Sequence, residues 1–351
     1  MPRISSVPTT NNKKSIYWGA VMAREKIVWL ITNSCGGDTH SFLNAYHPDF
    51  RQMIEEFFDL CYNNHLSAAE GDVAMSILEA FVGGPERAFT LVVEGSIPTA
   101  ADGMYCILGY RNGKPWTAVE AVQDLATKAR YVVAVGTCAA FGGPYAAHPD
   151  PIGSKPVSKI VARPVINVPG CPVHPDWIAG TLYHLTRYGE PRLDAYHRPV
   201  LFYGETIHDR CERRHYFESG IFAAKPGESW CMYKIGCKGP VTYADCPVRH
   251  WSGEHVNWPV GANTPCIGCT SPEFPDGVAP FFEHLPDLST PAVKVTADRV
   301  GILSGVATAL GIGAHLAASI FTGRLGHTIR KALGGVNNAG VLRKPARRMK
   351  K

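Results

Sequence analysis

The stretch Ile27-Val28-Trp29-Leu30-Ile31-Thr32-Asn33-Ser34-Cys35-Gly36-Gly37-Asp38 decides the fold. A short apolar, β-rich run stops abruptly in a small polar turn that carries a thiol and a carboxylate. The same format returns three times. Phe89–Val93 ends in Glu94-Gly95-Ser96, Tyr131–Val135 ends in Gly136-Thr137-Cys138, and Val165–Val168 ends in Pro169-Gly170-Cys171-Pro172. Helical spacing lies between and after these runs, over Val119–Lys128 and Trp177–Tyr188. It also runs through Thr39–Asn63 (Phe42, Met53, Ile54, Phe57, Phe58, Cys61), interrupted near Pro48. Near-continuous apolar strands alternating with helices predict an α/β fold with a doubly wound parallel sheet. Ligands of such sheets sit beyond the carboxyl ends of the strands, and Cys35, Cys138 and Cys171 fall at three of those ends.

Composition sets the bounds around this reading. The 351 residues suffice for two domains at ~150 residues each. A hydrophobic content of 45% and an aromatic content of 10% exclude a disordered chain. Only 19% of residues are charged while Gly (35) and Pro (27) are abundant, which suggests many tight turns and surface buried against a partner. The net charge of +5 is uneven: Arg324 to Lys351 holds nine Lys/Arg and no acid, and subtracting those nine leaves −4 for residues 1–323. That body is no nucleic-acid binder by charge. The opening residues MPRISSVPTTNNKKS carry neither an apolar export core nor a twin-arginine pair, so a cytoplasmic location is expected. In a reducing compartment eleven cysteines argue for metal or redox chemistry over disulfides.

Residues 201–290 are dense in Gly, Pro, Cys, His and Trp and show little periodicity. Such a segment needs an organiser, and bound metal supplies one. Its candidate ligands are His208, Cys211, Cys231, Cys237, Cys246, Cys266 and Cys269. Zinc prefers paired CxxC knuckles, of which only Cys266-Ile267-Gly268-Cys269 is present. Scattered soft ligands with one histidine suit iron–sulfur clusters better, and iron and sulfide content separates the two readings.

Taken in order, Ser34-Cys35, Gly136-Thr137-Cys138, Pro169-Gly170-Cys171-Pro172, His208-Asp209-Arg210-Cys211 and Pro265-Cys266-Ile267-Gly268-Cys269 resemble the small subunit of [NiFe]-hydrogenases, over residues 25–290 or so. The resemblance implies a flavodoxin-like domain followed by an irregular cluster-binding domain. It divides the chain into an N-terminal extension (1–24), a flavodoxin-like domain with the proximal cluster (25–200), a medial and distal cluster domain (201–295), and an apolar C-terminal helix with a basic tail (296–351). It also implies a nickel–iron centre in a partner large subunit and a dimer of heterodimers. Carried over by motif, Cys35, Cys138 and Cys171 hold a proximal [4Fe-4S] cluster, and His208, Cys211, Cys231 and Cys237 a distal [4Fe-4S] cluster. Cys246, Cys266 and Cys269 hold a medial [3Fe-4S] cluster, with Pro259 where a fourth medial ligand would stand.

The family motif has a further cysteine three positions after Cys35, where this chain has Asp38. Asp38 either caps the following helix or completes the proximal cluster, and the expectation here is ligation. That substitution resembles the actinobacterial-type hydrogenases, a subgroup associated with oxygen-insensitive consumption of trace hydrogen. Glu94 is placed beside the proximal site, either in a proton or interface role or as a hydrogen-bonded brace. Cys61, on an apolar helical face, and Cys106 are expected to be structural thiols. His40 is close enough in sequence to tune the cluster.

From Val300 to Gly323 no acid, lysine or arginine occurs, a length that spans a bilayer. With the basic tail it allows membrane association on the cytoplasmic side, and close packing of a Gly/Ala face in an oligomer is the other reading; the family resemblance implies a helix that anchors the complex at a cytochrome b, where His315 could approach a haem. The expected function is electron transfer in H2 oxidation, from the partner's nickel–iron site through three clusters to an unspecified acceptor, in an oxygen-insensitive uptake enzyme. A regulatory H2 sensor is the alternative, against which Asp38 argues. The related single-cluster protein of respiratory complex I would lack the seven downstream ligands.

Overall fold

A computed structural model describes residues 24–251, 254–275, 288–290, 293–295 and 297–322. The N-terminal extension up to residue 23 and the basic tail from residue 323 lie outside the described residues.

Strand β1 (Glu25–Ile31) leads into helix α1 (Gly37–Leu43), followed by β2 (Phe58–Asn63) and α2 (Gly71–Gly83). Strand β3 (Thr90–Glu94), α3 (Ala118–Lys128), β4 (Tyr131–Val135), the short α4 (Thr137–Phe141), β5 (Ile166–Val168) and α5 (Pro175–Tyr188) complete the motif. All five strands are parallel, in the order β2-β1-β3-β4-β5. This is the flavodoxin-like winding, with its switch point between β1 and β3. Alternation along β1 divides the core in two. Ile27, Trp29 and Ile31 face a layer that contains Phe42 of α1 and Trp177, Ile178 and Leu182 of α5. Val28 and Leu30 face Leu78 of α2 and Val122 and Leu125 of α3. Helix α3 starts where Thr117 and Glu120 form a reciprocal capping box. The central β3 is buried at every position, as a strand covered on both faces must be.

The helical spacing read through Asn63 is overturned in its second half. A turn over Phe50–Gln52 and a π-turn over Met53–Phe57 end at β2, an edge strand that pairs Lys26 with Asp59 and Ile27 with Leu60. Cys61 therefore lies on a strand, half-buried, with its thiol 3.3 Å from the Asp59 carbonyl. The apolar residues 53–58 pack against the core from the π-turn and then from the strand, which mimics one helical stripe.

From α5 to residue 275 the described residues make only short turns, at Val200–Tyr203, His208–Arg210, Arg214–Glu218 and Cys246–Arg249 among others. This part shares one compact unit, ending at Glu283, with the sheet. Its buried Phe202, Ala244, Cys246, Trp258 and Cys266 extend the core layer of α5. A second unit begins at His284. In it, Leu288–Thr290 pairs antiparallel with Val293–Val295, and helix α6 (Ala297–Phe321) follows. Its stretch Ile302–Phe321 has a mean hydropathy of 1.5 and outward-facing side chains, and is long and apolar enough to cross a bilayer.

Candidate functional site

Three loops at the carboxyl ends of the strands gather the first set of donors. Cys35 and Asp38 follow β1, Cys138 opens α4 after β4, and Cys171 follows β5. The three thiols and the Asp38 carboxylate interact electrostatically. Burial pushes the Cys138 thiol up to about 12, and the nearby charges of Cys171, Asp38 and Cys35 add to it. Cys171 rises to about 11, by burial and then by Cys269, Asp38 and Cys35. The ring of Tyr145 stands beside the same three thiols.

Asp38 is 8% exposed and sits inside the first turn of α1 without capping it. Its Oδ1 accepts the Val173 N–H at 2.8 Å. No hydrogen bond reaches Oδ2 among the described residues; it lies over Gly136, where a Cβ would come within 2.1 Å of it. Gly136 also has φ +91°, so only glycine meets both demands. Burial, and then the Glu94 charge, push the Asp38 carboxyl up to about 8, with the Val173 amide pulling the other way. The buried Asp38 carboxylate thus has one oxygen anchored on Val173, and its charge acts on the Cys138 and Cys171 thiols.

The capping task falls to Glu94, which is 0% exposed. Its carboxylate accepts the N–H groups of Asp38 (3.2 Å) and Thr39 (3.0 Å) at the start of α1. It also accepts the Thr39 hydroxyl (2.5 Å), the Ser34 hydroxyl (3.1 Å) and the Trp29 indole N–H (3.1 Å). Five donors make Glu94 the brace of the Cys35–Asp38 loop. His40 Nδ1 is tied to the Gly36 carbonyl at 2.7 Å, in the same loop.

The second set is His208, Cys211, Cys231 and Cys237, which border one small cavity of about 20 Å³ with Ile207, Arg213 and Val260. The His208 ring is held edge-on by Phe217 at 4.7 Å. Cys211 is raised to about 11 by burial, relieved by the Arg213 amide and increased by Cys237 and Cys231. The third set is Cys246 and Cys266, both buried, with the half-buried Cys269. Burial raises all three thiols, and Cys266 feels Cys237, Cys269 and Cys246 in turn. Trp251 donates its indole N–H to Cys246 Sγ at 3.4 Å. Trp258, between Asn257 and Pro259, is buried with an indole N–H that finds no acceptor among the described residues. Crowded, buried thiols with raised pKa values are costly as thiolates unless a cation joins them. The donor chemistry, nine sulfurs with one imidazole and one carboxylate, fits iron–sulfur groups.

Some contributors are invisible in the sequence. Arg198, 2% exposed, is paired with Asp194 at 2.8 Å, donates to the Thr270 carbonyl beside Cys269 at 3.1 Å, and faces the rings of Tyr196, Tyr203 and Tyr243. Asp245, next to Cys246, accepts Trp177 Nε1 at 2.7 Å and binds Arg249 at 2.7 Å. His174, Asp176 and His255 also lie together. There His174 is committed to the His250 carbonyl (2.6 Å) and the Asp176 amide (3.1 Å), and Arg249 already neutralises Asp176. Cys106 packs against the α2–α3 core layer, where burial raises its thiol to about 11.

Known proteins resemble this chain. Residues 35–185 match the family described as NADH ubiquinone oxidoreductase, 20 Kd subunit, and residues 203–282 match the C-terminal family of NiFe/NiFeSe hydrogenase small subunits. The chain is 34% identical to the quinone-reactive Ni/Fe-hydrogenase small chain of Wolinella succinogenes, over 91% of this chain and 93% of that one. It is 40% identical to the periplasmic [NiFeSe] hydrogenase small subunit of Desulfomicrobium baculatum, over 73% and 86%. Among solved structures, the actinobacterial-type NiFe-hydrogenase from Ralstonia eutropha H16 superposes with a TM-score of 0.70 at 30% identity, over 83% of this chain and 91% of that one. Fold and donor array together define a redox subunit of the hydrogenase class. Within that class, the chain belongs to the [NiFe]-hydrogenase small-subunit family.

Proposed function

We propose that this chain is the electron-transferring small subunit of an H2-oxidising uptake hydrogenase that tolerates oxygen, paired with a large subunit holding the nickel–iron centre. The carrying observation is that the donor sets adjoin in series. Cys171 of the first neighbours Cys269 of the third, and Cys266 of the third neighbours Cys237 of the second. Cys35, Asp38, Cys138 and Cys171 hold a proximal [4Fe-4S] cluster and His208, Cys211, Cys231 and Cys237 a distal one. Cys246, Cys266 and Cys269, with Pro259 unable to ligate, hold a medial [3Fe-4S] cluster. The clusters supply one-electron redox centres, and the protein's part is to hold and space them. Relatives named uptake hydrogenase small subunits, from Azotobacter vinelandii and Cupriavidus necator among others, support the direction of the reaction. The Asp38 carboxylate and the actinobacterial-type neighbour support oxygen insensitivity. A dimer of heterodimers completes the proposed assembly.

The test is H2 consumption by the co-purified heterodimer at trace H2, with and without air. Sustained uptake in air is expected. Uptake lost in air removes the oxygen-insensitive reading, and negligible turnover with nickel and clusters present favours a sensor. His208→Ala is expected to change the distal cluster's magnetic signal and leave the other two alone; an untouched distal signal contradicts its assignment.

Helix α6 further suggests attachment of a cytoplasmic complex to a bilayer. In flotation with anionic vesicles the full complex should float, and one truncated before residue 297 should not. A full complex that stays at the bottom contradicts attachment.

A further inference from the structure

Hydrogen bonds on two backbone carbonyls tie the medial set to its neighbours. Thr137, the residue before Cys138, is 1% exposed, and its hydroxyl donates to the backbone carbonyl of Cys269. The same oxygen accepts the N–H of Gly170, the residue before Cys171, at 2.9 Å. On the other side Lys238, the residue after Cys237, donates its backbone N–H to the carbonyl of Cys266 at 2.8 Å. Both cysteines of Cys266-x-x-Cys269 thus receive, on their own carbonyls, a bond from a residue adjoining a ligand of the next set. Cys246 is held differently, by the Trp251 indole on its sulfur and by the His250 N–H on its carbonyl.

We propose that Thr137 is a positioning residue for electron transfer between the proximal and medial clusters. Its hydroxyl holds Cys269 against the two proximal loops and completes a path from Cys138 Sγ to Cys269 Sγ made of covalent bonds and one hydrogen bond. The Cys171 N–H also points at the Cys269 sulfur, so the Thr137 bond fixes the separation across which that shorter contact works. On the other side the Cys266 N–H points at the Cys237 sulfur, beside the Lys238 bond to the Cys266 carbonyl. In the step, one electron leaves the reduced proximal cluster, which is oxidised, and reduces the medial cluster. No bond breaks, no proton moves, and H2 oxidation supplies the electron. The inference rests on the cluster assignment proposed above.

Thr137→Val keeps the branched shape and deletes the donor. In the purified heterodimer, three quantities are measured: iron and sulfide content, the magnetic interaction between proximal and medial clusters, and the rate of medial reduction after rapid mixing with H2. The valine variant should keep both clusters, lose much of the magnetic interaction and reduce the medial cluster several-fold more slowly. Thr137→Ser should restore both properties. A valine variant with intact clusters and wild-type rate and interaction overturns the proposal. So does one that fails to assemble either cluster, because the hydroxyl then serves assembly, and so does a slow serine variant with intact clusters. A wild-type complex lacking iron and sulfide defeats the underlying cluster assignment itself, whatever Thr137 does.

Discussion

Glu94→Ala is expected to destabilise the chain by about 4 kcal/mol, the largest stability effect of any single substitution at the site. The carboxylate accepts from five donors with no exposure to solvent. Removing it strands two amide N–H groups of the first turn of α1, two hydroxyls and an indole. Each orphaned buried donor costs about 1–3 kcal/mol, and water entering the small void recovers only part of the total. The unfolding midpoint of the purified complex should fall by roughly 10 °C, and the loop carrying Cys35 and Asp38 should lose its shape. Glu94→Gln is milder, since one amide oxygen still accepts but its NH2 group faces donors. An alanine variant within about 1 kcal/mol of wild type would mean that the brace is redundant.

Under the proposed ligation, Asp38→Ala should lower H2-driven dye reduction almost to background, because the proximal set would lose one of four ligands while the other two sets are untouched. Asp38→Asn separates charge from shape. It keeps an oxygen for the Val173 amide but offers the thiols' side a neutral group, and it should hold the cluster weakly. Asp38→Cys places a thiol where a carboxylate stood. Iron content should be unchanged and the proximal spectrum altered, since a softer ligand changes the cluster's electronic environment. A cysteine variant with the wild-type spectrum contradicts ligation by Asp38.

The geometry bears on which of two jobs Asp38 performs. The sequence allows it to cap α1, while its position three residues after Cys35 favours ligation. In the structure Glu94, contributed by the end of β3, takes over the cap, and Asp38 turns its carboxylate across to Val173 and Gly136. Fifty-six residues separate Glu94 from Asp38, so no local pattern could announce that exchange. The parallel sheet, by contrast, is legible from four apolar runs and their small-residue ends, because strands buried on both faces leave continuous apolar stretches. Strand β2 is not legible. It is an edge strand with a mixed burial pattern, and the π-turn before it continues the helical stripe of Met53 and Phe57. In the thiol-rich region the candidate ligands stand out by residue type and motif. The partners that place them do not, since Arg198 reaches Thr270 and Thr137 reaches Cys269 only after folding.

Three iron–sulfur clusters in series would connect the partner's H2 chemistry to the far side of this chain. A redox titration of the co-purified complex under H2, followed by magnetic resonance and Mössbauer spectroscopy, tests that arrangement without any variant. Three distinct clusters should emerge, two of the [4Fe-4S] type and one of the [3Fe-4S] type, all exchanging electrons with H2. Zinc in place of iron, fewer than three clusters, or clusters that H2 leaves oxidised would contradict it.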